Sequence, residues 1–413
     1  HENLPEMFTG VSGNVYYKKD FLRWQNLKGH YKEKPYTFNG ELHDFSRPLI
    51  DTTAIGEHIN LTAQVKVLRS AFQLIAFTGR WFDSSFDLKG DVHLFNNDDA
   101  DIDLRGKLDL NLENIGSFFP QLKDRMQQAH LLGVLSGQGV FMGKWSDWRN
   151  WQLAFDGTSE KIMLKGYPLE KVAFKFTQRD RTISKCNLAS MVYGGNLDVL
   201  SSVDLRSDHA PFTATISVKN LDFAKYREDK KPKNKRLAGI LQGSAELKGS
   251  ALELKKMTGQ GSVNIANGHL WHWSVLSGIT KALLIPEFEH SVFTEARGDF
   301  TVGDGKISSN NLRMASQYVT LNGKGWIDFD TNLNFDIKPE FSELAILQSD
   351  SLKKGPTSII TQTDNYLNIK ISGTLAHPHH WVEKSPMKII EGTIKDTTGT
   401  IKEVIGGVVG EIF

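Results

Sequence analysis

Residues 319–330 read VTLNGKGWIDFD, and this stretch decides the fold class of the chain. Its odd positions carry Val319, Leu321, Ile327 and Phe329 with two glycines between them, whereas most of its even positions are polar or charged. Successive side chains of a β-strand point to opposite faces of a sheet. A period of two therefore predicts a strand with one dry face and one wet face.

The same alternation recurs on both sides of this stretch. Residues 197–205, 212–218 and 333–337 alternate apolar with polar side chains, and the turn signal Gly303-Asp304-Gly305 separates two further candidate strands. Along the whole chain we count roughly 25 candidate strands and about four helical stretches. The protein is therefore predicted to be mostly β.

The arrangement of these strands follows from their spacing. No fixed repeat of roughly 40 or 50 residues is present, which argues against a propeller. We predict one long continuous antiparallel sheet in which sequence neighbours pair, extending about 100 Å at the usual strand spacing. A sheet of this size must bury one face or curl around something. It either folds on itself into a closed sandwich or curls into an elongated apolar groove that is kept for a ligand.

Breaks in the alternation divide the chain into segments. Residues 1–113 are predicted to form an N-terminal groove segment, residues 134–221 a central one, and residues 222–375 a C-terminal groove module. Residues 114–133 lose the period of two and are predicted to form a helical insertion. Residues 376–413 are predicted to form an amphipathic helical tail.

Composition and motifs exclude several functions. The 49 basic and 48 acidic residues give a formal net charge of +1, which argues against a nucleic-acid binder that works through a strong positive field. Cys186 is the single cysteine, so an internal disulfide is impossible. The sequence lacks P-loop, dinucleotide-binding, serine-hydrolase and zinc-protease motifs. His377, His379 and His380 favour an exposed turn over a metal site because they lack helical i, i+4 spacing. We expect no enzymatic activity, no cofactor and no metal.

Several stretches carry a resemblance to a known family. Residues 259–270 read GQGSVNIANGHL, an apolar segment follows, and residues 300–307 read FTVGDGKI. Upstream, residues 237–250 read LAGILQGSAELKGS, and residues 192–198, VYGGNLD, contain a Tyr-Gly-Gly turn. These stretches resemble the C-terminal module of the AsmA-like proteins, and the resemblance continues more weakly toward the N-terminus. They are fold signatures, and none of them is a catalytic motif.

The resemblance implies a function. Large AsmA-like proteins, the TamB-like and YhdP-like members, resemble eukaryotic bridge-like lipid transfer proteins. The resemblance of this sequence to the family therefore implies a β-groove. Such a groove carries the acyl chains of phospholipids or other lipids across the periplasm of a diderm bacterium, between the inner and outer membranes. Other envelope proteins would extend such a bridge. Family members usually start with an N-terminal membrane anchor, and this sequence departs from them in containing none.

Under this interpretation, one set of apolar positions is expected to line the groove floor. These residues are Val199, Val203, Ile216, Val319, Leu321, Ile327, Phe329, Leu333, Phe335 and Ile337. Each acyl CH₂ moved from water to an apolar wall gains about 0.8 kcal/mol. Repeated similar positions give a flat energy profile, which suits transport better than one deep pocket.

A second set of residues is a candidate for membrane or partner contact. Its members are aromatic residues flanking an apolar segment and one stripe of the C-terminal tail: Trp271, Trp273, Ile394, Ile401, Ile405, Val408 and Ile412. Two alternatives stay open for them, because the tail can also cap the end of the sheet and the tryptophans can pack internally. For the whole chain, the alternative function is a scaffold with a closed β-sandwich that assists outer-membrane protein assembly.

Overall fold

The computed structural model describes residues 9–31, 33–94, 100–114, 128–144, 146–231, 237–269, 292–348 and 367–384. These residues form one antiparallel sheet of 22 strands, in which each strand pairs with the next strand along the chain. Pairing of this kind follows from short connections, since a tight turn brings the next strand back beside the previous one.

The strands have similar lengths throughout the sheet. The first eight are β1 (Thr9–Lys18), β2 (Phe21–Tyr31), β3 (Lys34–His43), β4 (Leu49–Gly56), β5 (Ile59–Val67), β6 (Ala71–Trp81), β7 (Ser84–Leu94) and β8 (Ala100–Asn111). The middle of the sheet consists of β9 (Leu132–Lys144), β10 (Gln152–Leu164), β11 (Tyr167–Arg179), β12 (Thr182–Val192), β13 (Gly195–Asp204), β14 (Pro211–Asp222), β15 (Ile240–Ser250) and β16 (Thr258–Gly268). The last six are β17 (Phe293–Gly303), β18 (Lys306–Ser316), β19 (Val319–Asp328), β20 (Asn332–Phe341), β21 (Leu367–Thr374) and β22 (Pro378–Lys384).

Tight turns set the register of several hairpins. Asp304 and Gly305 have φ values of 50° and 72° and connect β17 to β18. Tyr193 and Gly194 have φ values of 47° and 78° and connect β12 to β13. A two-residue turn with positive φ at both central residues has a backbone twist that matches the twist of the two strands it joins. The dipeptide Asp-Gly is a strong sequence signal for this turn. The turn predicted at Gly303-Asp304-Gly305 is thus confirmed.

Helices are short in the described residues. Helix α1 (Phe223–Lys230) begins where Asp222 accepts a hydrogen bond from the backbone N–H of Ala224 at 2.7 Å, which caps the first turn. Helix α2 (Glu343–Gln348) begins two residues after β20 ends at Phe341. Phe341 itself still belongs to the sheet, because it pairs with Val319.

The predicted fold class is confirmed: the protein is mostly β and forms one long antiparallel sheet that stays open. Within the described residues β1 pairs only with β2 and β22 only with β21. Strands β8 and β9 pair with each other although residues 112–131 separate them in the chain, and β14 and β15 pair although residues 223–239 separate them. Most of the predicted helical insertion and most of the predicted helical tail (residues 376–413) lie outside the described residues. The start of that tail is not helical, because Pro378–Lys384 form strand β22, which pairs with β21.

Two groups of buried side chains form the core. The C-terminal core consists of Leu237, Ile265, Phe293, Ala296, Val319, Leu321, Leu333, Ile337, Ala345, Ile369 and Ile371. The central core consists of Leu112, Leu135, Ile162, Leu169 and Val172. Helix α2 contributes Ala345 to the C-terminal core, and Phe223 and Tyr226 of α1 pack against it. Distant parts of the chain therefore cover the dry face at this end of the sheet.

Candidate functional site

The apolar face of the sheet is continuous from strand to strand. Directly paired residues on β8 to β17 form one row across it: Leu108, Gly137, Gly157, Phe174, Leu188, Val199, Ile216, Ala245, Gly261 and Phe300. A second row on β2 to β9 contains Trp24, Gly40, Thr52, Ala63, Phe77, Leu88, Gly106 and Gly139. Gly106 of the second row and Leu108 of the first row are two residues apart on β8. Residues two apart on a strand point to the same face, so both rows lie on the same face of the sheet.

Aromatic rings lie across glycines on this face. The ring of Phe300 approaches Gly261 on the neighbouring strand, and the indole of Trp24 approaches Gly40, so closely that a Cβ atom at either glycine would collide with the ring. Glycine has no side chain, so a large ring from the paired position covers the exposed backbone. Glycines at positions that face the apolar side, such as Gly40 and Gly261, therefore do not interrupt the apolar surface, because neighbouring rings cover them.

The predicted floor residues in the middle of the sheet are half-buried. Val199 pairs with Leu188 on one side and with Ile216 on the other, and Val203 pairs with Phe212. All three predicted residues, Val199, Val203 and Ile216, retain intermediate exposure. An apolar ligand can therefore contact them without any rearrangement of the core.

The predicted floor residues near the C-terminal end have a different environment. Val319, Leu321 and Leu333 are only 1–2% exposed, and Ile337 is 7% exposed. Ile327 and Phe335 pack against the same C-terminal core. A ligand can contact only the surface that the protein leaves exposed, so the four buried residues serve as packed core in this structure.

Phe329 lies just beyond the end of β19, and its backbone N–H donates to the carbonyl of Gly305 at 3.0 Å. Its side chain is half-buried. The seven candidates for membrane or partner contact, Trp271, Trp273, Ile394, Ile401, Ile405, Val408 and Ile412, lie outside the described residues. Their assignment stays a prediction.

The predicted groove floor does not include the central core or the apolar residues next to it. Phe155, Phe174 and Leu188 are partly buried and pack against this core. Phe174 and Leu188 belong to the row that contains Val199 and Ile216, and Phe155 lies two residues before Gly157 of that row on β10. Their alternation along the sequence is as clear as that of residues 319–330, so counting the period of two along the whole chain finds them.

The wet face carries a feature that the sequence did not suggest. A cavity of about 1240 Å³ lies along β14 to β21. Most of its lining side chains are polar or charged, and they occupy the strand positions that alternate with the apolar face. The sheet is therefore concave toward its polar side in this region.

One hydrogen bond ties the Tyr-Gly-Gly turn to α1. The hydroxyl of Tyr193 donates to Asp229 Oδ2 at 2.7 Å, and Tyr193 is 8% exposed. This bond lowers the pKa of the Asp229 carboxyl, with a smaller effect from Lys230. Burial, followed by the same carboxylate, raises the pKa of Tyr193. The arrangement is structural, because it fixes α1 over the end of a hairpin that borders the apolar face.

Metal sites and membrane-spanning helices are absent from the described part of the chain. Among these residues, no group of three or more His, Cys, Asp or Glu side chains is arranged to hold a metal ion. No helix in the same ranges combines the length and the apolar character needed to cross a membrane.

The chain was compared with known proteins through both its sequence and its fold. No protein-family model, no curated protein and no solved structure matches it.

Proposed function

We propose that this protein is a non-enzymatic lipid-transfer protein that holds acyl chains against the apolar face of its sheet. The half-buried row through Leu188, Val199 and Ile216 supports this proposal most directly. Exposed apolar surface of this extent on a water-soluble fold is usually reserved for an apolar partner. An acyl chain is such a partner, and it gains about 0.8 kcal/mol for each CH₂ that leaves water.

The size of the surface agrees with lipid chains. Strands β8 to β17 are joined by nine pairings, which correspond to about 43 Å at the usual strand separation of about 4.8 Å. One leaflet of a bilayer contributes about 15 Å of hydrocarbon. The row is thus long enough for the chains of two or three phospholipids placed end to end.

The same proposal assigns different roles to the two ends of the predicted floor. The exposed central strands β12 to β15 contact lipid, whereas the C-terminal core closes the apolar face beneath α2. The setting follows from the resemblance to AsmA-like proteins: a phospholipid or other acyl lipid moves across the periplasm of a diderm bacterium, between inner and outer membranes. Envelope proteins that extend the bridge would meet the sheet at its ends.

Native mass spectrometry of the chain, purified without detergent, followed by lipid extraction, tests the proposal. We expect several phospholipids per chain, and we expect the chain to accelerate transfer of a fluorescent phospholipid between donor and acceptor vesicles. A chain that is folded, free of lipid and inactive in vesicle transfer would refute the proposal.

A scaffold is the alternative, and one observation favours it. All ten residues of the edge strand β1 are exposed, including Val15 at 56% and Tyr17 at 73%. An open edge with apolar side chains can add a strand from another protein. A lipid-free chain that binds a β-strand peptide from an outer-membrane protein, and loses that binding on Val15→Lys, would support the scaffold. The closed sandwich expected for it is not formed, since the described residues make one open sheet.

A further inference from the structure

The wet-face cavity is a second candidate site, on the opposite side of the sheet from the apolar row. Its lining residues come from eight consecutive strands, from Ser217 on β14 to Asn368 on β21. The apolar face cannot supply the ligand of this cavity, because a continuous sheet separates the two surfaces. Any ligand of this cavity therefore has to match its polar and charged lining.

Cations are concentrated along one row of this cavity. Arg297 on β17 pairs directly with Arg313 on β18, Arg313 pairs with Asn322, and Asn322 pairs with Lys338. Like charges at directly opposed positions destabilise a sheet unless another group neutralises them. Two strand separations, about 10 Å, lie between the backbones of Arg313 and Lys338. Their long side chains can therefore converge on one small anion.

The protein itself leaves this positive charge largely uncompensated. Among the described residues, no carboxylate oxygen lies within ion-pairing distance of Arg313, Lys324 or Lys338. Arg297 pairs with Glu295, whose Oε1 lies 3.6 Å from the Arg297 guanidinium. With Lys219, five cations and three carboxylates line the cavity, an excess of two positive charges. The whole chain carries a net charge of only +1.

The carboxylates of the cavity have partners of their own. Asp299 Oδ2 accepts from the Asn311 side-chain amide at 2.7 Å. Asp336 Oδ1 lies 3.9 Å from Lys370 Nζ, which is an ion pair but is too long for a hydrogen bond. Neither of these two carboxylates forms an ion pair with Arg313 or Lys338.

Two buried acceptors lie beside the cations. Asp336 Oδ1 and Asn368 Oδ1 are buried and accept no hydrogen bond from the residues that the structure describes. Lys338 is two residues from Asp336 on β20, and Asn368 is on β21 beside Ile369, the partner of Ile337. Buried polar atoms in folded proteins are nearly always hydrogen-bonded. Both atoms can accept a hydrogen bond from a donor that reaches them, such as a hydroxyl group of a ligand.

We propose that the wet-face cavity binds a phosphate group attached to a hydroxyl-bearing carbon skeleton. Arg313 and Lys338 bind the phosphate, since guanidinium and ammonium groups form charge-assisted hydrogen bonds with phosphate oxygens. The side-chain oxygens of Asp336 and Asn368 accept from ligand hydroxyls. Two sources have this chemistry: a free sugar phosphate and the phosphoglycerol headgroup of an anionic lipid. The proposal does not rest on lipid transfer along the apolar face.

Isothermal titration calorimetry of the full chain tests the site with glucose 6-phosphate, glucose and inorganic phosphate. We expect glucose 6-phosphate to bind more tightly than inorganic phosphate, and glucose not to bind. Arg313→Gln and Lys338→Gln should each weaken binding at least about tenfold. Lys248→Gln removes the same charge from the same face of β15, outside the cavity, and should leave binding within about twofold.

Asn368→Ala separates the two parts of the proposed site. It should leave binding of inorganic phosphate unchanged and reduce the affinity for glucose 6-phosphate to that level, because it removes only an acceptor for hydroxyls. Circular dichroism of each variant checks that the sheet remains folded. Equal binding of glucose 6-phosphate and phosphate by the wild type would overturn the assignment of the hydroxyl acceptors.

Sedimentation with phosphatidylglycerol vesicles distinguishes the two sources. Vesicle binding that is lost in Arg313→Gln but not in Lys248→Gln assigns the site to the lipid headgroup. Binding of glucose 6-phosphate without vesicle binding assigns it to a free solute, which agrees with the concave shape of the cavity. If neither probe binds, or if all variants bind equally, the proposal is wrong, and vesicle transfer along the apolar face is still measured independently.

Discussion

Ile216→Asp is the most informative single change in the apolar row. Ile216 pairs with Val199 on β13 and with Ala245 on β15, so a carboxylate there occupies the centre of the exposed floor. The side chain is half-buried, so its loss removes about half the burial energy of an isoleucine, or about 1 kcal/mol. The carboxylate still reaches water, and we therefore expect the sheet to remain folded.

The effect on lipid is larger than the effect on the fold. A carboxylate keeps its own hydration and denies contact to about two or three CH₂ groups of an acyl chain, which costs about 2 kcal/mol. This corresponds to about a thirtyfold slower passage of lipid across that position. We expect vesicle transfer to fall by this factor, and native mass spectrometry to detect fewer lipids per chain.

Thr213→Asp is the matched control for this experiment. Thr213 is on the same strand but on the wet face, it is exposed, and it pairs with Lys248, which accommodates a new carboxylate. The control should retain both lipid and transfer activity. Equal transfer by the two variants, with both of them folded, would show that acyl chains do not travel along the apolar row.

Three further substitutions test the fold around this row. Leu321→Asp, in the C-terminal core, should destabilise the protein by about 4 kcal/mol or more in urea denaturation, because it combines a lost buried side chain with an unpaired charge. Tyr193→Phe removes the hydrogen bond that lowers the pKa of Asp229 from its ordinary value of 3.8. We expect its melting temperature to fall below that of the wild type by a constant amount from about pH 5 to 9, and the difference to shrink on acidification below about pH 4. Gly90→Ala should cost about 1–3 kcal/mol in urea denaturation, since Gly90 has a φ of 147° and a Cβ there would collide with the carbonyl oxygen of Asp103.

For each of these three substitutions, one result would contradict the reasoning. The Leu321 result is compared with Leu321→Met, and similar stability of the two variants would contradict the buried position of this residue. The sign of the pH effect follows from the depressed pKa: the carboxylate form of Asp229 contributes stability above its ordinary pKa, and the contribution disappears as it is protonated. A deficit for Tyr193→Phe that grows at low pH would contradict this linkage. Gly303→Ala controls for Gly90→Ala, because no atom lies within 4 Å of the added Cβ, and equal losses would exclude a steric cause.

The structure changes what the substitution Leu321→Asp tests. If all predicted floor residues lined an open groove, Leu321→Asp would block lipid without unfolding the protein. Leu321 is 2% exposed, so this variant reports on stability, whereas Ile216→Asp reports on the exposed floor. The alternation of the two strands is equally regular, and the sequence therefore gave no reason to choose between the two positions.

The sequence by itself determined the strands, their faces and their order. The period of two in stretches such as residues 319–330 predicts a strand and assigns each side chain to a face, because the geometry of an extended chain is local. Local turn signals such as Asp304-Gly305 determine that neighbouring strands pair, and the continuous apolar face follows from that pairing.

Only the tertiary structure decided which parts of this face are covered and where the sheet is concave. Ala345 of α2 and Phe223 of α1 both pack at the C-terminal core, although the two helices are far apart in the sequence. The wet-face cavity brings together residues from Ser217 to Asn368, and its row of cations depends on the register of β17 to β20. Burial of one part of the sheet by a distant helix, curvature of the sheet and cross-strand register are all non-local properties. The alternation within one strand carries no information about them.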